Sequence, residues 1–228
     1  MITENYDPKG RLEALIDAIY AIAMTIIILE VSAPVLGTIH STGDLNTFLI
    51  GVIPELMMYC VTFLLLGGFW YINHILYLIE KVDKTLIILN ILLLMFIGMV
   101  PFSTTIIIEY GIYPTASIFF GINILLIELI NFLIYFYAFR NKLLDESIYV
   151  HIQDNKPKKF KERYVNKPKI IYLALFIPTL MCIFISIFID SRLGILLYVF
   201  IPFSILMLIN PSNIEKHIKE HRKKRFLK

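Results

Sequence analysis

The sequence predicts an all-α membrane protein with six transmembrane helices. Three observations support this fold class: the composition is too apolar for a soluble protein, long segments lack cationic residues, and several apolar runs could cross a bilayer. Hydrophobic residues make up 58% of the 228 residues and charged residues 17%, whereas soluble domains average about 45–50% and about 25%. Mean hydropathy is +0.75. So much apolar surface indicates that lipid is the solvent of this chain.

Six apolar runs are each long enough for a transmembrane helix, which needs roughly 20 residues. No Lys or Arg lies between Arg11 and Lys81, nor between Lys84 and Arg140, and each of these gaps contains two runs. The runs do not alternate in hydrophobicity as barrel strands do, so helices remain as the way to span the membrane. The predicted spans lie at about 11–32, 46–79, 85–108, 113–139, 170–189 and 193–210.

The distribution of Lys and Arg predicts the orientation of these spans. Six spans place both termini on one side, and of the 21 Lys and Arg residues only Arg192 then falls on the other side. The positive-inside rule therefore predicts a multi-pass protein of the cell membrane with cytoplasmic N- and C-termini. Residues 214–228 form a basic cytoplasmic tail, which we expect to be solvated or to lie on anionic headgroups rather than to bind a specific partner.

Motifs of enzymes and of nucleic-acid binding are absent from the sequence. There is no Walker loop, no glycine-rich dinucleotide turn, no HExxH motif and no Cys/His group with zinc spacing. Cys60 and Cys182 both fall in predicted spans, where we expect them to pack as small apolar residues. Glu109-Tyr110-Gly111 lies in a short turn and lacks the Thr-Val-Gly core of a potassium-filter loop. The sequence therefore predicts no enzyme, no metal site and no P-loop filter.

The first two spans contain ionisable residues at matching depth. Asp17 lies six residues after Arg11 and His74 lies six residues before Glu80, so each is roughly 9 Å from the cytoplasmic edge at about 1.5 Å per residue. Trp70 is one turn deeper than His74 on the same helix face. Adjacent antiparallel helices would bring Asp17 to His74, a partner for a buried carboxylate. A belt of Trp and His at the interface, beside a snorkelling acid, is the alternative.

A stripe of branched apolar residues follows Asp17 on the first span. Ile22, Ile26 and Leu29 are spaced i, i+4, i+7, and Thr25 lies beside them. Asp17 is about 140° away from Ile22 around the helix, so the acid and the stripe belong to different sides. The spacing alone favours ordinary packing, against lipid or core, as the role of the stripe.

The fourth span carries a second polar stripe. Glu128 lies near its middle, and Asn131 and Tyr135 follow at i+3 and i+7. Ionisable groups within a membrane are costly and are therefore functional candidates. An interhelical hydrogen-bonding strip that fixes packing is favoured here over a proton or ion path.

Three sequence elements, in order along the chain, resemble the transmembrane protein 175 family. They correspond to a first-helix signature, a second-helix Trp-x-x-x-His element and a third-helix pattern. Leu15 and Ile16 stand where the family usually has Phe and Ser, which removes a hydroxyl from the polar cluster. The matching residues are GRLEALID at 10–17, AIAMT at 21–25 and LE at 29–30, then WYINH at 70–74, then Asn90 with PFS at 101–103.

The resemblance implies a cation channel that is weakly potassium-selective, lacks a P-loop filter and assembles as a homotetramer of six-span subunits. In that family the first helices line the pore, and rings of bulky apolar side chains form its constriction. Carried over to this chain, the constriction consists of Ile22, Ile26 and Leu29, with Thr25 as a polar layer. With the resemblance, pore lining is favoured over packing for this stripe.

The resemblance also assigns Arg11, Asp17, Trp70 and His74 to a polar network that supports the pore helix. It implies no cofactor beyond the permeant potassium ion, and it implies further copies of the chain and membrane lipids, but no nucleic acid, as partners. Two alternatives remain. One is a proton-coupled secondary transporter that uses Glu128, Asp17 and His74 as a relay, although no internal repeat supports it. The other is a non-conducting membrane scaffold.

Overall fold

The computed structural model describes residues 7–35, 37–73, 79, 81–144 and 167–202. Within these residues the chain is helical, apart from turns and an isolated antiparallel bridge between Ile79 and Leu144. His74, residues 203–210 of the predicted sixth span and the tail 214–228 lie outside the described residues. The helices are α1 (Pro8–Ile26), α2 (Thr42–Asn73), α3 (Lys84–Gly98), α4 (Val100–Tyr110), α5 (Pro114–Arg140), α6 (Lys167–Phe188) and α7 (Ser191–Leu197), with a 3-10 turn (Ile27–Glu30) directly after α1.

Four helical segments of the described chain are long and apolar enough to cross a membrane. They are Pro8–Glu30, Thr42–Asn73, Lys84–Tyr110 and Pro114–Arg140. Two shorter apolar stretches follow: Leu175–Phe188, which is part of α6, and Ser191–Pro202, which begins with α7. The predicted all-helical class is confirmed for the described residues, whereas the count of six spans and the cytoplasmic termini stay predictions.

Local side-chain chemistry explains where several helices begin. Asp7 caps α1 by accepting a hydrogen bond from the backbone N–H of Lys9 at 3.1 Å, and Pro8 occupies the first turn, where its missing N–H has no consequence. Asp83 caps α3 in the same manner, and Asp190 caps α7. These short polar residues satisfy N–H groups that the helix itself cannot pair.

The third predicted span is one apolar run in the sequence but two helices in the structure. α3 ends at Gly98 and α4 begins at Val100, because Pro101 in the first turn of α4 cannot donate to the helical ladder. The buried hydroxyls of Ser103 and Thr104 both donate to the carbonyl of Val100, each at 2.9 Å. Beyond the break, α4 contacts α1 and the 3-10 turn that follows it.

Helix α5 is the centre of the described bundle. It packs against α3, α4 and α6, and α7 packs on α6. Phe120, Ile124 and Ile127 of α5 are fully buried. By contrast, α1 packs on α2 and α3 and lies at the edge of the single chain, so part of its surface is left uncovered.

Candidate functional site

Helix α1 has one buried face, which anchors it to the bundle. Ile16, Tyr20, Ala23 and Ile27 are buried and follow the i, i+4, i+7, i+11 spacing of one helix side. They belong to the hydrophobic core that includes side chains of α2 and α3. Ile16, which replaces the usual Ser of the resembling family, therefore contributes apolar packing instead of a hydroxyl.

The predicted apolar stripe lies on the opposite, uncovered face of α1. The exposed fractions of Ile22, Ile26 and Leu29 in the single chain are 55%, 39% and 78%, and Thr25 is exposed as well. The hydroxyl of Thr25 donates to the carbonyls of Ala21 and Ile22 in its own helix, at 2.9 Å each. A row of branched side chains on a span-length helix is thus available to lipid or to another protein surface.

A hydrogen bond joins the acid of α1 to α2. The indole Nε1 of Trp70 donates to Oδ1 of Asp17 at 2.8 Å, so the structure brings together two residues of the predicted network. His74, the predicted partner of Asp17, lies outside the described residues. Arg11 is exposed on α1, and its assignment to the network stays a prediction.

A second, buried bond between α1 and α2 was missed by the sequence analysis. The amide Nδ2 of Asn73 donates to the hydroxyl of Tyr20 at 2.8 Å. Helical side chains tilt toward the N-terminus of their helix, so the long Tyr20 side chain reaches toward the C-terminal end of α2. Counting residues gives the depth of the Cα atoms of Tyr20 and Asn73, but not how far the Tyr20 side chain extends. The position of Asn73 within the 70–74 motif was nevertheless a signal that it belongs to the polar network between α1 and α2.

We expect Trp70→Phe to destabilise the protein by about 0.5–1.5 kcal/mol, because Asp17 loses the hydrogen bond from the indole but is exposed in the single chain, where water can replace it. Thermal unfolding in detergent, followed by the fraction of assembled protein in native mass spectrometry, measures the change. Asp17→Asn keeps an acceptor for the indole, so it is expected to be milder than Asp17→Ala. Wild-type stability of both Trp70→Phe and Asp17→Ala would contradict a supporting role for this contact.

The second predicted polar stripe, on α5, is buried within the bundle. Glu128, Asn131 and Tyr135 are exposed by only 0%, 2% and 7%. Oε1 of Glu128 accepts a hydrogen bond from the Thr179 hydroxyl of α6 at 2.8 Å, while its Oε2 is buried without a hydrogen-bond partner among the described residues. Asn131 donates to the Ile127 carbonyl within α5 at 3.0 Å. The Glu128–Thr179 bond favours the packing interpretation of this stripe.

Metal-ligating side chains are dispersed in the part of the chain that the structure describes. These residues contain no group of three or more His, Cys, Asp or Glu that could hold a metal ion. Cys60 is an exposed free thiol and Cys182 a buried one. The functional assignment below rests on the exposed stripe of α1 and on the hydrogen bonds between α1 and α2.

The N-terminal part of the chain matches a known family. Residues 11–101 fit the sequence profile of the family described as endosomal/lysosomal potassium channel TMEM175. This range runs from α1 to the start of α4, and it contains the uncovered stripe, Asp17 and Trp70.

Two curated proteins with similar sequences are named potassium channels, and relatives from Mus musculus and Gallus gallus are named endosomal/lysosomal proton channel TMEM175. One, from Chamaesiphon minutus, is 29% identical over 157 residues, which make up 67% of this chain and 77% of that protein. Another, from Streptomyces collinus, is 35% identical over 103 residues, 45% of this chain and 48% of that protein. The chain thus matches about three quarters of the first relative and about half of the second.

A solved structure extends the likeness beyond the range of the family profile. The crystal structure of a lysosomal potassium-selective channel TMEM175 homolog from Chamaesiphon minutus matches with a TM-score of 0.63 and 22% sequence identity, covering 87% of this chain and 96% of that chain. At this identity the likeness shows the fold. The resemblance predicted from the motifs is therefore confirmed: residues 11–101 match the TMEM175 family profile, and the helical fold is similar to that of a TMEM175 homolog.

Proposed function

We propose that this chain is the subunit of a homotetrameric, weakly potassium-selective cation channel whose pore is lined by α1. The observation that carries the proposal is the exposed apolar face of α1, formed by Ile22, Ile26 and Leu29, opposite a face that is buried in the bundle. The names of the relatives from Chamaesiphon minutus and Streptomyces collinus support potassium as the permeant ion, and no further cofactor is proposed.

The position of α1 at the edge of the bundle supports an assembly of several copies. A single chain cannot enclose a pore with a helix that has neighbours on one side only. Copies arranged around a closed rotation axis, as most oligomers are, would turn four uncovered faces toward one another. The number four comes from the family resemblance.

Apolar rings of this kind can control conduction without a filter loop. Four copies of Ile22, Ile26 and Leu29 would narrow the water column, and an apolar constriction closes by dewetting when it is narrow enough. Thr25 would supply a polar layer between the rings. Its only hydroxyl hydrogen is used within α1, so its oxygen lone pairs remain available to a passing cation.

The outer helix surfaces fit a lipid environment in the cell membrane. Large apolar side chains are exposed on helices away from the α1 stripe, and the topology proposed for them is six spans with both termini in the cytoplasm. They include Ile50, Ile53 and Met57 on α2 and Phe184 and Phe188 on α6. Such side chains are stable in contact with lipid tails.

Planar-bilayer recording of the purified protein, under opposed potassium and sodium gradients, tests the proposed function. Unitary current steps with a reversal potential on the potassium side, together with a four-subunit mass in native mass spectrometry, are the expected results. Saturable flux coupled to pH, without unitary steps, would indicate the secondary transporter instead. Reconstituted vesicles without any ion flux would indicate the scaffold.

A further inference from the structure

We propose that Glu30 and Thr105 form a positioning clamp that sets the outer end of the α1 constriction and thereby the ion selectivity of the channel. This inference rests on the proposed function. Glu30 follows Leu29 directly, but its Oε2 accepts a hydrogen bond from Oγ1 of Thr105 on α4 at 2.6 Å. The short distance is typical of an O–H group that donates to a carboxylate. The clamp thus ties the end of the pore-lining segment to the bundle behind it.

The clamp holds a segment that has left α-helical geometry. α1 ends at Ile26, and Ile27–Glu30 forms a 3-10 turn. A 3-10 helix turns by about 120° and rises about 2.0 Å per residue, against about 100° and about 1.5 Å in an α-helix. Three such steps bring Leu29 into line with Ile26, whereas α-helical winding would leave it about 60° from Ile26 and about 20° from Ile22. Leu29 belongs to the apolar stripe in either case, but the winding sets its angle around the axis and its depth relative to Ile26.

A 3-10 turn needs external support because its hydrogen-bond geometry is poorer than that of an α-helix. The structure supplies this support from three directions. Ile27 is fully buried in the core, Glu30 is held by α4, and the backbone N–H of Ser32 donates to Oε2 of Glu55 on α2 at 2.8 Å. Two carboxylates from the outer end of the bundle therefore fix the residues on both sides of Val31.

Thr105 is suited to this role because it lies on α4, which contacts the 3-10 turn. This helix begins at Val100 with Pro101 in its first turn. The Thr105 hydroxyl also lies 3.2 Å from the Pro101 carbonyl of its own helix. It has one hydrogen to donate, and the shorter distance assigns that hydrogen to Glu30.

The position of Leu29 affects an assembly more strongly than a single chain. In a ring of four copies, opposite side chains move apart by twice the displacement of either one. Loosening the 3-10 turn would let Leu29 swing away from the axis or toward it, so the width of the outer ring would vary with time. A ring of variable width discriminates poorly between cations of different size.

Thr105→Val tests the clamp, since valine keeps the shape of threonine and removes the hydroxyl. Thr47→Val is the matched control: the Thr47 hydroxyl donates to the Gly43 carbonyl of its own helix at 3.0 Å, the same intrahelical spacing as Thr105 and Pro101. We expect Thr105→Val to reduce the potassium-to-sodium permeability ratio at least about twofold. Amide hydrogen exchange in residues 27–32 should accelerate at least about tenfold, as the loss of a hydrogen bond to a charged group implies. Thr47→Val should change neither quantity.

Conservative variants separate positioning from general stability. Thr105→Ser restores the hydroxyl and should restore both the exchange rates and the permeability ratio, and Glu30→Gln, which keeps an acceptor, should lie between wild type and Thr105→Val. If Thr105→Val does not fold, the Glu30→Gln measurement decides. Wild-type exchange and permeability in Thr105→Val, or faster exchange with an unchanged permeability ratio, would overturn the proposal while leaving the channel function intact. A wild-type protein without unitary currents would instead overturn the channel function, and the exchange data would still report on the contact.

Discussion

Replacing Ile22 with Asn is expected to raise the single-channel conductance and to reduce the preference for potassium over sodium. In the proposed tetramer, four Asn amides would hydrate a ring that is otherwise apolar, and the free-energy barrier for water and ions at that ring would fall. A decrease of about 1.4 kcal/mol in that barrier corresponds to an increase of about tenfold in rate. Bilayer recordings of unitary current and reversal potential measure both effects.

Ile22→Ala and Ile88→Ala form a matched pair for this test. Both residues are exposed isoleucines in the single chain, at 55% and 64%, but Ile88 lies on α3, outside the proposed pore face. Only Ile22→Ala should enlarge the constriction and change the current. Unchanged currents in both Ile22 variants would remove Ile22 from the pore, and an equal change in Ile88→Ala would point to a general effect on the fold.

The uncovered face of α1 was predictable because helical periodicity is a local property of the sequence. The spacing of Ile22, Ile26 and Leu29 required one common side, and their separation from Asp17 required that the acid lie elsewhere. The structure has this arrangement, with Asp17 hydrogen-bonded to Trp70 of α2. Depth counting paired the two helices that this bond joins, and the pairing of Asp17 with His74 stays a prediction because His74 lies outside the described residues.

The contacts that hold the C-terminal end of α1 could not be predicted from the sequence. The 3-10 turn follows an apolar run that reads as one continuous helix, and no local pattern marks Ile27 as its start. The bond between Glu30 and Thr105 joins residues that are 75 positions apart. Pro101 signals a helix break in the sequence, but no local pattern shows that α4 packs against α5, α1 and the 3-10 turn.

The close packing of α7 on α6 depends on a glycine. A Cβ atom at Gly194 would overlap Oγ of Ser186 and would lie 2.8 Å from the backbone oxygen of Cys182. The Ser186 hydroxyl is itself held by the hydroxyl of Ser117 on α5, with an oxygen–oxygen distance of 2.6 Å. Small residues allow membrane helices to approach this closely, so neither neighbour can move aside without losing a contact.

Gly194→Ala is therefore expected to destabilise the protein by about 3 kcal/mol, the upper part of the usual range for overpacking, because the methyl group displaces a backbone carbonyl or breaks the Ser117–Ser186 bond. Thermal unfolding in detergent measures the loss. Gly51→Ala is the control: Gly51 lies within α2, and a Cβ atom there would meet no side chain or neighbouring helix of the described chain within 4 Å. Alanine should therefore stabilise that helix by about 0.5–1 kcal/mol.

Gly194→Ala also separates the stability of the bundle from the function proposed for α1. Gly194 lies in α7, which packs on α6, whereas α1 packs on α2 and α3. Channels of Gly194→Ala that survive purification at low temperature should therefore retain the wild-type potassium-to-sodium permeability ratio while their thermal stability falls. A changed permeability ratio with unaltered stability would mean that α6 and α7, and not α1 alone, shape the conduction path.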